Sequence, residues 1–596
     1  MKFLVLIKQV PESSDIHFDL TRKTLKRDGV KNIINPYDRR AISEAVRKRN
    51  ESGGEVVVVT MGPPQAKESL AEALAMGADR AVHIQDSRLA GSDTLVTAMV
   101  LAAAAKEIGF DILLCGQSST DSETGQVGPE IAEFLGIPCA TAVRKLEYLE
   151  NRLRVSCETD DGLAVLDLPI RCVLTTAERL IKPIKVKDVD LTAFANGRIQ
   201  QLTLDDLELD TERVGLAGSP TWVDSISEQK ITRHPEIWDD PDENKMAARI
   251  IEMISKRAQP KQLCPTPENP SPGDQQFWCF IETSREKIRS VSLEMLGHCA
   301  EMASRTNGVV CAVAIGAPLN SDEVLQLSSY GADKIYHFTS TILHPDEIVS
   351  VLCERIAAQK PFAFLIPATS LGKYIAPMVA ARLQLGLTGD CVGLDVDGQG
   401  RLVQMKPAFG GNIVAAIYSR TFPQMATIRP GSLESRAPRS SKKIPVLAWP
   451  PPKSGSHRFE IVSTELDAGI EAEKMDDASV VICVGAGMGQ DNVPLAFQLA
   501  DLLHGAVGAT RKVVDQGWIQ RQFQIGLTGR FVAPQTYLGL GVSGRYNHTI
   551  GIQKAGTIIS INQDPNAEIL KISDVGVIGN CVDLAQKMIE HLRHKG

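Results

Sequence analysis

The most chemically suggestive residues are Gly485-Ala486-Gly487-Met488-Gly489, which follow directly on the apolar run at residues 479–484. A glycine-rich turn of this kind, leading into a helix at about residues 494–503, lets backbone approach a diphosphate. The helix N-terminus favours the anionic oxygens. The same turn also serves packing alone in many α/β proteins, so by itself it leaves both readings open. Metal chemistry is not written here. The cysteines, at 115, 139, 157, 172, 264, 279, 299, 311, 353, 391, 483 and 581, contain no C-x-x-C pair, so neither a zinc ribbon nor a ferredoxin-type cluster is encoded. In apolar contexts they read as reduced, buried thiols, and His591 and His594 lie in a polar tail that reads as solvated.

The elements that must position the glycine turn belong to a chain of 596 residues, too long for one ordinary core. Hydrophobic residues make up 43% and charged ones 23%, a globular composition. The longest strongly apolar stretch, residues 98–105, is far short of the roughly 20 residues that cross a bilayer. The N-terminal run, broken at Lys8 and followed by Gln9-Val10-Pro11, reads as a first buried strand rather than a signal peptide, which with the unpaired cysteines implies a cytoplasmic setting. A net charge of −8 offers no basic field for a polyanion, so nucleic acid is excluded as an expected partner.

A repeat organises the chain. Residues 54–64 (GEVVVVTMGPP) match residues 308–318 (GVVCAVAIGAP), and the match runs without a gap to Gly77-Ala78-Asp79 against Gly331-Ala332-Asp333. An offset of 254 residues means two copies of one domain. In the first copy, strands at 3–7, 56–60 and 81–84 alternate with helices at 41–50 and 69–76. In the second, strands at 278–282 and 309–315 flank a helix at 291–305. Strands apolar on both faces with helices between them predict doubly wound parallel sheets. Residues 259–273 carry five prolines and read as an extended joint. A second breaker-rich segment, 438–456, includes Trp449-Pro450-Pro451-Pro452 and leaves the last domain tethered and able to swivel.

Four ordered motifs in the last domain resemble the FAD-binding domain of the electron transfer flavoprotein α subunit. They are Gly508-Ala509-Thr510-Arg511, residues 526–534 (GLTGRFVAP), residues 541–548 (GVSGRYNH) and Ser560-Ile561-Asn562-Gln563-Asp564. Residues 368–373 with Pro377, and residues 406–412 (KPAFGGN), resemble the same subunit's N-terminal domain. Lys8-Gln9-Val10-Pro11, Asn35-Pro36-Tyr37-Asp38, residues 76–80 and residues 115–129 resemble the β subunit. The resemblance therefore implies β and α subunits fused in that order: a β-like domain at 1–258, a linker at 259–275, an α-like N-terminal domain at 276–437, a linker at 438–458 and an FAD-binding domain at 459–596. The fold expected is α/β, with two related Rossmann-like lobes and a C-terminal α/β FAD domain.

The resemblance implies an electron carrier rather than an acid–base enzyme. Its FAD would pass electrons between a flavin dehydrogenase, such as an acyl-CoA dehydrogenase of fatty acid β-oxidation, and a quinone reductase or other acceptor. Arg511 matches the family arginine over the flavin ring, Thr528 the hydroxyl near N5, and His548 the imidazole at the O2 edge, the three groups that would tune its potential. Gly485, Gly487, Thr510, Ile525, Gly526, Leu527 and Tyr546 complete the expected FAD shell. Ser543, Gly544 and Asn547 would hold the diphosphate or ribityl region, and Asn562 and Asn580 the adenosine end. The family arginine expected at position 487 is missing, whereas Arg545 stands where a small residue is usual, so Arg545 is expected to supply the displaced charge.

The β-like half implies a second adenine nucleotide, FAD in bifurcating members and AMP in others. Its expected shell is Leu6, Asn35, Asp38, Met61, Asp121, Thr124, Gly125, Gln126, Val127 and Gly128, whose loop offers backbone N–H groups at a helix start. The Val-Gly-Pro form at 127–129 leans toward a second flavin. Leu180 matches the exposed leucine anchor of the family's dehydrogenase recognition loop. A homodimer of fused chains, an NADH-oxidising bifurcating enzyme and a non-redox AMP-binding module remain as alternatives.

Overall fold

The computed structural model describes residues 1–596 except 13–17, 20–23, 26–30, 187–190, 192–193, 195–197, 229–232, 257–260, 263–274, 341–342, 409–412, 435, 454–456, 467–474, 476–477, 527–528 and 596. Most of the proline-rich joint, the Gly410-Gly411-Asn412 motif, Leu527 and Thr528 thus lie outside the described residues, as does the side chain of Tyr546.

Both lobes are built on parallel sheet, as the alternating pattern predicts. In the first lobe Lys2–Leu6 sits between Glu55–Met61 and Ile112–Gly116, and Arg80–Ile84 and Cys172–Thr176 continue the parallel order on either side. Past Cys139–Tyr148 the sheet becomes antiparallel through Arg152–Glu158 and Gly162–Pro169. The second lobe centres Gln276–Ile281 between Val309–Gly316 and Ala363–Pro367 in a seven-stranded, all-parallel sheet. Its strands, such as residues 276–281 with the pattern of one half-buried and five buried positions, are apolar on both faces because helices cover both.

The repeat is visible at the level of single hydrogen bonds. Asp79 accepts from the Val56 N–H at 2.8 Å, and Asp333, 254 residues on, accepts from the Val310 N–H at 3.0 Å. His83 Nε2 meets the Gly62 carbonyl at 3.1 Å, and His337 Nε2 meets the Ala317 carbonyl at 3.0 Å. These aspartates and histidines tie the second strand of each copy to the turns around it.

Packing crosses the boundaries read from the sequence. Thr221–Glu228, inside the 1–258 segment, pairs antiparallel with Ile413–Ser419 in a four-stranded sheet of the α-like half. Glu236–Trp238 adds an edge strand to the C-terminal sheet beside Val575–Ile578. The helix Glu243–Ser255 then buries Met246, Ile250, Ile251 and Ile254 against Met588 and Ile589 of the last helix, Cys581–Lys595. Burial of its amphipathic stripe holds it on the FAD-like domain.

The expected tether at 438–458 is pinned rather than free. Val446–Ala448 pairs with Lys334–Thr339, and Trp449 packs on Trp278 and Tyr336 at 5.4 and 5.1 Å between centroids. Arg458 binds Asp346 at 2.7 Å and Glu133 of the first lobe at 3.0 Å, while His457 stacks on His344. Glu460–Leu466 then extends the first lobe's sheet beside Gly162–Pro169. Prolines block helix and central strand but allow edge pairing, so the segment serves as a strap. The chain passes from the first lobe's sheet to the C-terminal domain between Leu466 and Met475, the latter fully buried there.

No helix among the described residues is long and apolar enough to cross a membrane. No cluster of three His, Cys, Asp or Glu among them could hold a metal ion. Every described cysteine is free and buried. Burial pushes the Cys172, Cys311 and Cys483 thiols up to about 12, which leaves them unreactive.

Candidate functional site

The C-terminal sheet brings the expected FAD residues to one edge. Val480–Val484 lies between the edge strand Ala506–Ala509 and Thr536–Leu540, with Thr557–Asn562 and Val575–Ile578 beyond the latter. The chain leaves Val480–Val484 to one neighbour and later returns to the opposite one. This makes a topological switch point, the place where open α/β sheets bind nucleotides. Gly485, Thr510, the turn at 541–546, Asn562 and Asn580 all follow or close the carboxyl ends of these strands.

Glycine is required here by close backbone approach. The Gly485 N–H donates to the Leu540 carbonyl at 2.8 Å, and a Cβ on Gly485 would stand 2.1 Å from the Gly541 carbonyl oxygen. At Gly544, φ is +84° and a Cβ would lie 2.0 Å from the Ile569 nitrogen. The two turns at the switch point are thereby drawn together, with Ser543, Arg545 and Asn547 exposed on the outer turn. This hydroxyl, guanidinium and amide form a donor set that fits phosphate and ribityl oxygens.

Asn562 and Asn580 support these loops. Asn562 Nδ2 donates to the Val542 carbonyl at 2.8 Å, and Asn580 Oδ1 accepts from the Val582 N–H at 3.0 Å at the start of the last helix. Ile525 is buried and Gly526 has φ +130°, with its Cβ position blocked 2.2 Å from the Asn547 carbonyl oxygen. Thr510 precedes the helix Arg511–Asp515, and its N–H donates to the Val484 carbonyl at 3.0 Å.

Of the three expected tuning groups, His548 and Arg511 are described, and Thr528 lies outside the described residues. His548 is buried, with Nδ1 3.0 Å from the Ile525 carbonyl and Nε2 2.7 Å from the Tyr537 hydroxyl. A carbonyl only accepts, so Nδ1 carries the proton and Nε2 accepts from Tyr537 O–H. Burial lowers the pKa to about 4, so the ring is neutral at pH 7. Both nitrogens are spent inside the protein, and the turn presents Asn547 to the cleft in its place. Arg511 is half exposed and spans to the first lobe, 3.4 Å from Glu178 and 3.3 Å from Asp515.

A cleft of about 1060 Å³ lies where the three lobes meet. The first lobe contributes Asp121, Thr124 and Gly125, and the C-terminal domain Arg530, Phe531 and Asn547. The loop expected to bind a second nucleotide and the loop following Gly526 thus face one space. The other residues of that expected shell build the loop from behind. Asp38 accepts from the Lys8 N–H at 2.7 Å and the Gly116 N–H at 2.8 Å, and burial raises its carboxyl to about 7. Asn35 Nδ2 donates to the Ser118 carbonyl at 2.9 Å, leaving its buried Oδ1 without a partner. Lys8 Nζ bonds Asp121 at 2.9 Å. Gly125 has φ +66°, and Gly128 abuts Thr175, where a Cβ would lie 2.5 Å from the methyl carbon. The buried Gln126 accepts from the Thr94 hydroxyl at 2.6 Å and donates to the Leu387 carbonyl of the second lobe at 3.4 Å. Val127 opens the helix Val127–Leu135, Leu6 is buried at its strand end, and Met61 is half-buried.

Leu180 is a half-buried residue packed on the first lobe's core, not an exposed anchor. Its apolar side chain finds core beneath it, whereas Arg179 and Lys182 stay exposed. Sequence reasoning missed Tyr537, Phe531 and Arg429. The first reads as a strand residue and the second as part of a motif, while nothing local marks Arg429 as reaching across lobes.

A three-lobed α/β flavoprotein is the class that this switch point and shared cleft define. The electron transfer flavoprotein domain matches residues 23–207 and 277–454, and the electron transfer flavoprotein FAD-binding domain matches residues 474–553. The chain is 43% identical over 240 residues to the electron transfer flavoprotein subunit beta of Thermoanaerobacterium thermosaccharolyticum, covering 40% of this chain and 92% of that one. It is 34% identical over 323 residues to the subunit alpha of the same organism, covering 53% of this chain and 97% of that one. Protein FixB of Clostridium saccharobutylicum is 32% identical over 326 residues, covering 52% of this chain and 94% of that one. The chain belongs to the electron transfer flavoprotein family, with its β-like part first and its α-like part second in one polypeptide.

Proposed function

We propose that this chain takes electrons from a flavin dehydrogenase of the acyl-CoA dehydrogenase type and delivers them to a quinone reductase or other redox acceptor. The FAD of its C-terminal domain is the carrier. Bound FAD supplies reversible acceptance of electrons, one or two at a time. The chain's own residues hold it. Gly485 and Gly487 admit the diphosphate at the switch point, and Ser543, Gly544 and Tyr546 line the adjoining turn. Arg545 supplies the cation absent at position 487, Asn547 faces the cleft, and Asn562 and Asn580 shape the adenosine end. Thr510, Arg511, Ile525, Gly526, Leu527 and Thr528 border the flavin, with Arg511 and Thr528 setting its electrostatics. His548 contributes by fixing the turn that carries Asn547.

The first lobe holds a second adenine nucleotide, FAD or AMP, on the loop at 121–128, with Asn35 and Asp38 behind it. The shared cleft favours FAD as a second reading of this site, because both loops face one space in which two flavins would exchange electrons. That arrangement suits a bifurcating oxidoreductase fed by NADH. The observation that carries the main reading is the glycine-built switch point with its exposed Ser543, Arg545 and Asn547.

Anaerobic mixing separates the two activities. The carrier reading predicts flavin bleaching by a reduced acyl-CoA dehydrogenase and none by NADH alone. Bleaching by NADH at a catalytic rate establishes the bifurcating reading, and bleaching by neither donor overturns both.

A further inference from the structure

Arg429 stands at the wall of the cleft that the 121–125 loop and the C-terminal domain share. It follows the strand Gln424–Ile428 of the second lobe and is almost wholly buried. Its Nε bonds Asp390 at 2.9 Å within the same lobe, and its Nη2 reaches Glu123 of the first lobe at 3.3 Å. The guanidinium also lies 4.2 Å from the ring centroid of Phe531 in the C-terminal domain. One side chain therefore touches all three lobes at the wall of the central cleft, and its buried Nη1 has no partner.

The surroundings are built around this contact. Asp390 and Glu123 both hold left-handed backbone, with φ +61° and +50°, a conformation that costs energy in residues with a Cβ. Burial pushes the Asp390 carboxyl up, but the Arg429 and Lys373 charges outweigh it and hold the acid below its usual range. Gly431, at φ +69°, brings its backbone so close to the C-terminal domain that a Cβ would stand 2.7 Å from the Phe531 carbonyl oxygen. Glu123 belongs to the loop at 121–125, and Phe531 follows the Gly526 loop by five residues.

We infer that Arg429 is a positioning residue that latches the flavin-bearing domain against the cleft, through the cation–π contact with Phe531 and the ion pair with Glu123. Asp390 holds the guanidinium in place from within its own lobe, so the latch engages and releases at the Phe531 and Glu123 faces. The ion pair also links the 121–125 loop to the docking of the C-terminal domain. The inference concerns contacts between lobes and stands whichever nucleotide the first lobe holds.

The test uses the full chain with its bound cofactor and spin labels at two exposed positions, one on the second lobe and one on the C-terminal domain. Phe531→Leu keeps the Arg429–Asp390 pair and the fold of both lobes, but removes the ring. A cation–π contact at a desolvated site implies about a thirtyfold fall in the ratio of docked to undocked protein. Glu123→Gln lowers it further in the double variant, and Arg429→Lys gives a docked fraction between those of the native protein and Arg429→Met. Unchanged distance distributions in both Phe531→Leu and Glu123→Gln overturn the latch. So does a loss in Arg429→Met that Arg429→Lys fails to restore in part, because Arg429 would then act only in folding its own lobe.

Discussion

The buried pair Tyr537–His548 makes the FAD-like domain acid-sensitive. His548 has its pKa lowered to about 4 by burial, against 6.5 in an unfolded chain. Between those values the unfolded state binds more protons than the native one, so stability is complete above pH 6.5 and is lost as pH falls toward 4. The full span is worth about 3 kcal/mol, and the part between pH 7 and pH 5 about 2 kcal/mol, or some twentyfold in an opening constant. Hydrogen exchange of a peptide covering residues 536–549, corrected for the intrinsic rate at each pH, reads that constant without assuming that so large a chain unfolds in one step. His548→Gln is expected to flatten the pH dependence. Tyr537→Phe is expected to cost about 1–3 kcal/mol at pH 7, because Nε2 is left buried with its donor gone. Equal protection of the native peptide at both pH values, or the same slope in His548→Gln, would show that the imidazole is not the buried, neutral group described here.

Three further outcomes follow from the geometry. Gly485→Ala places a methyl group where the Gly541 carbonyl stands and should release FAD on dilution while lowering the thermal midpoint; an unchanged midpoint and full retention would refute the packed switch point. Arg545→Ala should weaken FAD binding and reduce the salt dependence of its dissociation constant, measured by fluorescence, whereas identical affinity and salt slope would remove Arg545 from the diphosphate site. Arg458→Met breaks the contacts to Asp346 and Glu133 that pin the strap; Glu133 keeps Arg382, but the buried Asp346 loses its cation, at a cost of about 3 kcal/mol. Loss of the Asp346 pair should accelerate limited proteolysis near residue 458, and native-like resistance would count against the strap.

The parallel lobes were legible because burial on both faces writes uninterrupted apolar runs at 56–59 and 310–315, and because the repeat doubled every signal. The glycine turn at 485–489 was equally plain, since only glycine permits the approach to Gly541. What escaped was decided by partners distant in sequence. Thr221–Glu228 and Glu243–Ser255 carry ordinary strand and helix patterns that name no lobe, and their edges and stripes are satisfied by partners far along the chain, from Ile413 onward. The segment at 438–458 has the composition of a tether, yet Trp449 and Arg458 each find buried partners. His548 was singled out by its motif. Its neutral, doubly bonded state came from Tyr537 and Ile525, which no spacing rule connects to it.

The central claim is that this single chain carries FAD on its C-terminal domain beside a nucleotide-bearing first lobe. Denaturing the purified protein and quantifying the released nucleotides tests it most directly. The account predicts FAD and a second adenine nucleotide, either another FAD or one AMP, at two nucleotides per chain. Protein that releases AMP alone, with no FAD, would contradict it.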